Sequence, residues 1–393
     1  MLKPLLFSIL PRAPHPTRDG LAIRNSHLLE ALSLEFDLRV FLLEPGHLPA
    51  DAGRMPPGIA AERFPLSRRT RQAAALAATL VSSRPYSERL YASRPLRERL
   101  AAAVAASRPA WVVAHSYHVG PAAVSSGAPA WVDFHNLDSE IWARVAANAG
   151  FAARAFARLQ ASRVAALERR LTREAAGFSA VSRRDAEALE ALSGRRALLV
   201  PNGVDLLRYA PREDPGEAGT VFFVGDLTWP PNADAVAYFS REIWPRIRAG
   251  NPGARAEILG RGDRPGLVSG ESITLLGEGG DTRPHWERAA VAVVPLRSGG
   301  GSRLKILEAA ASGVPVVATT IGAEGIELVP EREILLADDP EAFADAVLRL
   351  LRDADLRRSV AAAARAKVEA QYGWERVGRD FARALAERAG QRA

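Results

Sequence analysis

Short apolar runs alternate along the whole chain with longer stretches in which alanine, leucine and arginine recur at helical spacing. That alternation predicts α/β layers built on parallel sheets. In the first half the runs LLFSIL, DLRVFLLE, WVVAHS, AWVDFH, GFSAVS and RALLVP predict strands, with Ala/Arg helices between them, notably over 70–107 and 140–176. A second series starts at GTVFFVGDL and continues through ARAEILG, SITLLG, AVAVVPL, VPVVAT and ILLAD. Two such series in tandem predict two Rossmann-like units. The polar, turn-rich segment PNGVDLLRYAPREDPGEAG (201–219) predicts the hinge between them. A last helix is predicted over about 374–390, after QYGWERV.

Length agrees with two domains, because 393 residues exceed what one hydrophobic core usually spans. The absence of cysteine excludes disulfides, thiolate zinc sites and cysteine nucleophiles, and is compatible with a reducing cytoplasm. The opening MLKPLLFSILP lacks a small-residue cleavage site and reads as a strand rather than a signal peptide. The longest stretch free of Asp, Glu, Lys and Arg, Pro109 to Val132, holds His115, His118, glycines and prolines; it reads as two strands around a short helix, not a membrane span. Charge is uneven: residues 1–205 carry 27 basic and 18 acidic side chains, the remainder 25 and 27. A basic first half points to an anionic partner such as a membrane surface, or to plain arginine enrichment on a solvated face.

The chain has only three lysines, Lys3, Lys305 and Lys367, and one of them lies in SGGGSRLKILEAAASGVPVV (298–317). A helix after a glycine turn presents unpaired N–H groups and a positive dipole end, a ready phosphate site. Gly299, Gly300 and Gly301 allow close approach to that backbone, followed by Ser302 and Leu304. Helical side chains lean towards the N-terminus, so Arg303 and Lys305 are expected to reach the same anion. Glu308, at the edge of the stripe Leu304, Leu307 and Ala311, is expected to accept from paired ribose hydroxyls; the alternative is a surface pair with Lys305 at i, i+3.

This segment, VAVVPLRSGGGSRLKILEAAASGVPVVATTIGAEGI, resembles the donor-nucleotide segment of GT-B glycosyltransferases, in particular the retaining family 4. VPNGVDLLRYAP resembles that family's hinge, VFFVGDLTWPPNADAVAYF the opening of its second domain, and HPTRDGLAIRNSHLLEALS its first glycine loop, with Gly20 at the turn. The resemblance implies two Rossmann-like domains facing an inter-domain cleft, at 1–200 and 201–373, with a helix at 374–393 returning to the first domain. It implies a cytoplasmic, metal-independent hexosyltransferase moving a sugar from a nucleoside-diphosphate sugar to a glycan or lipid-linked acceptor, in cell-surface polysaccharide or glycoconjugate synthesis. Gly20, Gly225, Gly299 to Gly301, Ser302, Leu304 and Glu308 would bind the donor, and Arg303 and Lys305 would act on its diphosphate. No further cofactor and no nucleic acid are implied.

The sequence departs from the family where Gly300 replaces the first of two glutamates eight positions apart, and where Asp226 and Asn232 stand in place of basic residues after the second domain's first strand. Arg303 and Lys305 are then expected to supply the missing charge, with a compact ammonium fitting where a planar guanidinium would not. In WVDFHNLDSEIW, His135 matches a histidine that relatives use near the donor sugar and the acceptor oxygen. Asn136 and Asp138 follow as acceptor-side candidates, though Asp138 and Glu140 also suit a helix cap. His115 and His118 are weaker candidates. Gly260, Gly262 and Gly266, with Gly277 to Gly279, would flank the base. Asp353-Ala354-Asp355 reads as helix surface, and no His/Asp cluster predicts a metal. The arginine-rich stretch 84–100 is either a lipid-facing or a solvated helix face. Two other readings stay open: a nucleotide-sugar epimerase on the same fold, and a silent nucleotide-binding scaffold.

Overall fold

The computed structural model describes residues 3–15, 19–45, 54–66, 74–76, 78–79, 82–148, 150–211, 216–262, 266–268, 270–278, 280–300 and 303–392. The chain divides into two compact units, Met1–Pro201 with Glu375–Ala393, and Asn202–Trp374. Each is an open parallel sheet wrapped by helices.

In unit 1 the strands are β1 (Leu5–Leu10), β2 (Asp37–Pro45), β3 (Ala61–Leu66), β4 (Trp111–Ala114), β5 (Ala130–Phe134), β6 (Gly177–Ala180) and β7 (Leu198–Leu199). They lie in the order β3-β2-β1-β4-β5-β6-β7. Strands β4, β5 and β6 are buried along their whole length, as parallel strands covered on both faces must be. Gly177 is required by packing: a Cβ there would lie 2.2 Å from the ring of Trp131 on the neighbouring strand. The final helix, Trp374–Gly390, covers the same face. Trp111 Nε1 donates to Leu385 O at 2.9 Å, and Phe381 packs edge-on against Trp131.

Unit 2 contains β8 (Thr220–Val224), β9 (Arg255–Leu259), β10 (Ile273–Gly277), β11 (Val291–Val294), β12 (Val316–Ala318) and β13 (Leu335–Leu336), in the order β10-β9-β8-β11-β12-β13. After β8, the helix Pro230–Tyr238 widens into a π turn at Phe239–Ile243 before Trp244–Gly250. Pro245 accounts for the turn, since it has no N–H and its ring excludes the carbonyl of Arg241.

The predicted strands all form. Strand β3 was missed because AERFPL reads as charged and proline-bearing; it is an edge strand, where Pro65 disturbs no further neighbour. The two long predicted helices are broken. The stretch 70–107 lies partly outside the described residues; from residue 82 onward it holds Tyr86–Leu90 behind Pro85 and Arg94–Ser107 behind the Ser93 cap, whose hydroxyl accepts from Leu96 N. The stretch 140–176 divides at Gly150 into Asp138–Asn148 and Phe151–Glu174. Asp353 and Asp355 are exposed, as expected of helix surface, and Asp353 also caps Ala354–Gln371, accepting from Asp355 N at 3.0 Å and Leu356 N at 2.9 Å. No helix among the described residues is long and apolar enough to cross a membrane.

Candidate functional site

In an open α/β sheet, ligands bind beyond the carboxyl ends of the strands, where the strand order reverses. In unit 2 the reversal falls between β8 and β11. The loop after β8 carries Gly225 and Asp226; the loop after β11 leads through the glycines to the helix Leu304–Ala311. Lys305 crosses this gap. Its Nζ donates to Asn232 Oδ1 at 3.1 Å and lies 4.1 Å from the centre of the Phe223 ring. Asn232 in turn donates from Nδ2 to Asp226 O at 2.9 Å. A Cβ on Gly225 would meet Asn232 Nδ2 at 2.7 Å and Lys305 Nζ at 2.8 Å, so a side chain there would displace this junction. Burial, and then the nearby Arg303 charge, lower the Lys305 ammonium to about 7, with Glu308 opposing.

Arg303 is the residue that opens the helix, with extended backbone, and its side chain is buried. Its Nη1 donates to Gly300 O, so it braces the glycine turn rather than projecting along the helix axis. Gly299, at φ +119°, sits against Trp229 and Arg303: a Cβ there would come within 2.9 Å of the indole and 3.1 Å of Arg303 Nη2. Gly301 and Ser302 lie outside the described residues. Leu304 is half-buried against the core. Glu308 does not pair with Lys305 at the surface. Burial raises its carboxyl to about 7, against the opposing pull of Tyr209 and Trp286 beside it. The helix ends at Gly313, φ +70°, which turns the chain into β12.

Asp226 is engaged from the next loop. Arg261, after β9, reaches its carboxylate with Nε at 2.9 Å and Nη2 at 2.6 Å, while Thr228 closes the turn from N at 3.0 Å. Burial pulls the Asp226 carboxyl up, but Arg261 and Thr228 outweigh it and the net direction is down. A basic group therefore stands beside the β8 loop after all, supplied by β9. Gly260 has a backbone reason as well, because a Cβ there would fall 1.9 Å from Gly225 O. Gly279 lies outside the described residues.

In unit 1 the order reverses between β1 and β4. The helix Gly20–Glu35 starts after β1, with Asp19 Oδ1 accepting from Ala22 N at 3.0 Å and Gly20 as its first residue. His135 follows β5, and its Nε2 lies 3.0 Å from Asp133 Oδ2. Asp133 is fully buried and bound by Arg24 through Nε and Nη2, both at 2.8 Å. Burial would raise this carboxyl, but the guanidinium and His135 hold it well below the usual range. His115, after β4, is buried with Nε2 3.2 Å from Ser8 Oγ, and burial lowers it to about 3. His118 stacks among Tyr91, Tyr117 and Ser116 and is likewise lowered to about 3 by burial. Burial thus disfavours the charged form of both histidines. Asn136 is half-buried, and Asp138 opens the helix Asp138–Asn148. Burial, reinforced by Glu168 and Asp185, raises Asp138 to about 8. Glu168, buried beneath and bonded by Ser139, is raised to about 7 by burial.

Among the described residues no group of three or more His, Cys, Asp or Glu side chains is arranged to hold a metal ion. Arg24, Asp133, Glu168 and Arg261 were missed by sequence reading. One signal was available: Asp133 interrupts the apolar run AWVDF, and a charge in a buried strand needs a partner.

Two parallel sheets, each with glycine loops and polar groups at its reversal point, define an open α/β protein of the doubly wound class. Two family models match it in succession, "Glycosyl transferase 4-like domain" over residues 19–203 and "Glycosyl transferases group 1" over 218–353. The chain belongs to the GT-B glycosyltransferases of family 4. A GDP-mannose-dependent monoacylated alpha-(1-6)-phosphatidylinositol monomannoside mannosyltransferase of Corynebacterium glutamicum is 27% identical over 205 residues, which is 46% of this chain and 53% of that protein. The chain thus spans about half the length of this curated relative. Among solved structures, sucrose-phosphate synthase of Thermosynechococcus elongatus superposes with a TM-score of 0.73 at 18% identity over 98% of each chain. HepE of Anabaena, in complex with UDP-glucose, gives 0.67 at 12% identity over 98% of this chain and 100% of that one. These superpositions establish the GT-B fold.

Proposed function

We propose that the protein transfers a hexosyl group, with retention and without a metal, from a nucleoside-diphosphate sugar to a glycan or lipid-linked acceptor in polysaccharide or glycoconjugate synthesis. The observation that carries this reading is the junction of Lys305, Asn232 and Gly225 at the strand reversal of unit 2, with Arg303 and Arg261 beside it and Glu308 beneath. The bond from the anomeric carbon to the diphosphate oxygen breaks, a bond to the acceptor oxygen forms, and the acceptor proton leaves with the diphosphate. Cations and N–H groups already in place at the leaving group are the main catalytic device in such a step, each worth about 10²–10³ in rate. Lys305 supplies the charge, Arg303 holds the loop that supplies the N–H groups, and Glu308 receives the ribose. His135, with Asn136 and Asp138, forms the acceptor side on unit 1. The mannosyltransferase relative and the UDP-glucose complex of HepE support the donor class.

The same reading puts the protein in the cytoplasm with peripheral contact to an anionic membrane, to be checked by flotation with anionic against zwitterionic vesicles. In the arginine-rich stretch 84–100, Arg84, Arg94 and Arg99 lie beside Glu88, Glu98 and Glu62, so anionic lipid would compete with these exposed ion pairs.

Calorimetric titration with UDP, GDP, ADP and dTDP, with and without magnesium, tests the donor site. Selective, metal-insensitive binding of one nucleotide, lost in Lys305→Ala, is the expected result. Binding of none of the four would point instead to a silent scaffold.

A further inference from the structure

A chain of buried polar groups runs across unit 1 beneath His135. Trp131, Asp133 and His135 alternate along β5 and its extension, so their side chains share one face of the sheet. Ser179 faces Asp133 from β6, in register. Trp131 Nε1 donates to Ser179 Oγ at 3.1 Å, and Ser179 Oγ donates to Asp133 Oδ1 at 2.7 Å. The opposite oxygen, Oδ2, is shared by Arg24 Nε at 2.8 Å and His135 Nε2 at 3.0 Å. Arg24 is itself anchored, its Nη1 donating to Pro201 O at 3.1 Å. Arg24 and Asp133 are 1% and 0% exposed. Both oxygens of Asp133 and the fork of Arg24 are therefore fixed from several directions at once.

From this geometry we propose that Asp133, neutralised by Arg24, is the positioning residue for His135. It holds the imidazole as the Nε2–H tautomer, so that Nδ1 is the nitrogen that accepts from a substrate hydroxyl. Three observations carry the assignment. An ionised carboxylate can only accept, so the nitrogen facing it must carry the proton. Arg24 holds both oxygens of Asp133 through its fork, so the carboxylate is fixed in place as an acceptor facing His135. His135 Nδ1 is buried with no hydrogen-bond partner among the described residues, although polar atoms in such places are usually paired. A ligand hydroxyl would satisfy it. Among the described residues the bond to Asp133 is the hydrogen bond that fixes which ring nitrogen is presented. The proposal rests on the glycosyl-transfer reading for the identity of the hydroxyl, but not for the tautomer.

The tautomer can be read without substrate. The full chain is labelled with ¹⁵N-histidine, and long-range ¹H–¹⁵N correlations are recorded at pH 8.5, about two units above the ordinary histidine value. Only seven histidines contribute, and loss of one signal set in His135→Gln assigns His135. A single Nε2–H pattern in the wild type is expected. In Asp133→Asn the amide can donate to Nε2 while its oxygen stays with Arg24, so the Nδ1–H form is expected to appear. Arg24→Met combined with Asp133→Asn leaves no unpaired buried charge and is expected to give the same change in a chain that folds. An averaged or Nδ1–H pattern in the wild type overturns the proposal, and so does an unchanged tautomer in the folded double variant. Failure of the transfer reading is separate: it would appear as donor turnover unaffected in His135→Gln, whatever the tautomer.

Discussion

In the proposed donor site, the environment of Lys305 makes its charge conditional. Burial and Arg303 bring its ammonium down to about 7, whereas an arriving diphosphate favours the protonated form. Binding should therefore take up a proton, and affinity for the cognate nucleoside diphosphate should fall as pH rises from 7 to 8.5. Calorimetry in buffers of different ionisation heat checks both expectations. Lys305→Met is expected to bind about 10- to 100-fold more weakly, the loss of one charge-assisted contact, and to lose the pH dependence. Lys305→Arg keeps the charge but not the shape.

At the scale of elements, the loops after β8 and β9 are locked by backbone contact. Gly260→Ala would drive a Cβ against Gly225 O, and one of the two strands' ends must shift. The expected cost is about 1–3 kcal/mol, with weakened nucleotide binding because Gly225 moves; thermal melts and titration of the same variant test this. In unit 1 the buried pair Glu168 and Asp138 makes a different claim. The Glu168 carboxyl is raised by burial to about 7, so between about pH 4 and 7 the folded chain keeps a proton that the unfolded chain has released. Stability from this source is fully present at the acid end and declines as pH rises. Glu168→Gln should flatten the dependence of Tm on pH between 5 and 7.5. The strands and the helix Leu304–Ala311 were legible because burial on both faces leaves continuous apolar runs bounded by glycine and proline. Strand β3 and the breaks at Pro85 and Gly150 were not, since edge position and single-residue interruption leave the average pattern unchanged. The candidate residues of the glycine segment were drawn from the glycine turn before that helix and from the resemblance to family 4. Arg24, Asp133 and Arg261 were not, because each acts through a partner 35 to 109 positions away in sequence.

For the molecule as a whole, unit 1 depends on the helix Trp374–Gly390. A chain ending at Trp374 loses the cover over Trp111 and Trp131, together with the bond to Leu385 O. Faster hydrogen exchange in β4 to β6, with β8 to β12 unchanged, is the expected result. The chain passes between the units twice, at 201/202 and at 374/375, and inside unit 2 the two passing segments are tied together, Val204 N donating to Tyr372 O at 2.7 Å and Trp374 N to Val204 O at 3.1 Å. Unit 2 is continuous in sequence and unit 1 is not. On the ribosome the usual order is thus inverted: the amino-terminal half waits, two tryptophans uncovered, while the later half can already close. Its last piece arrives only when the segment from Glu375 emerges, and until then the nascent chain presents an open apolar sheet face to whatever chaperones attend it.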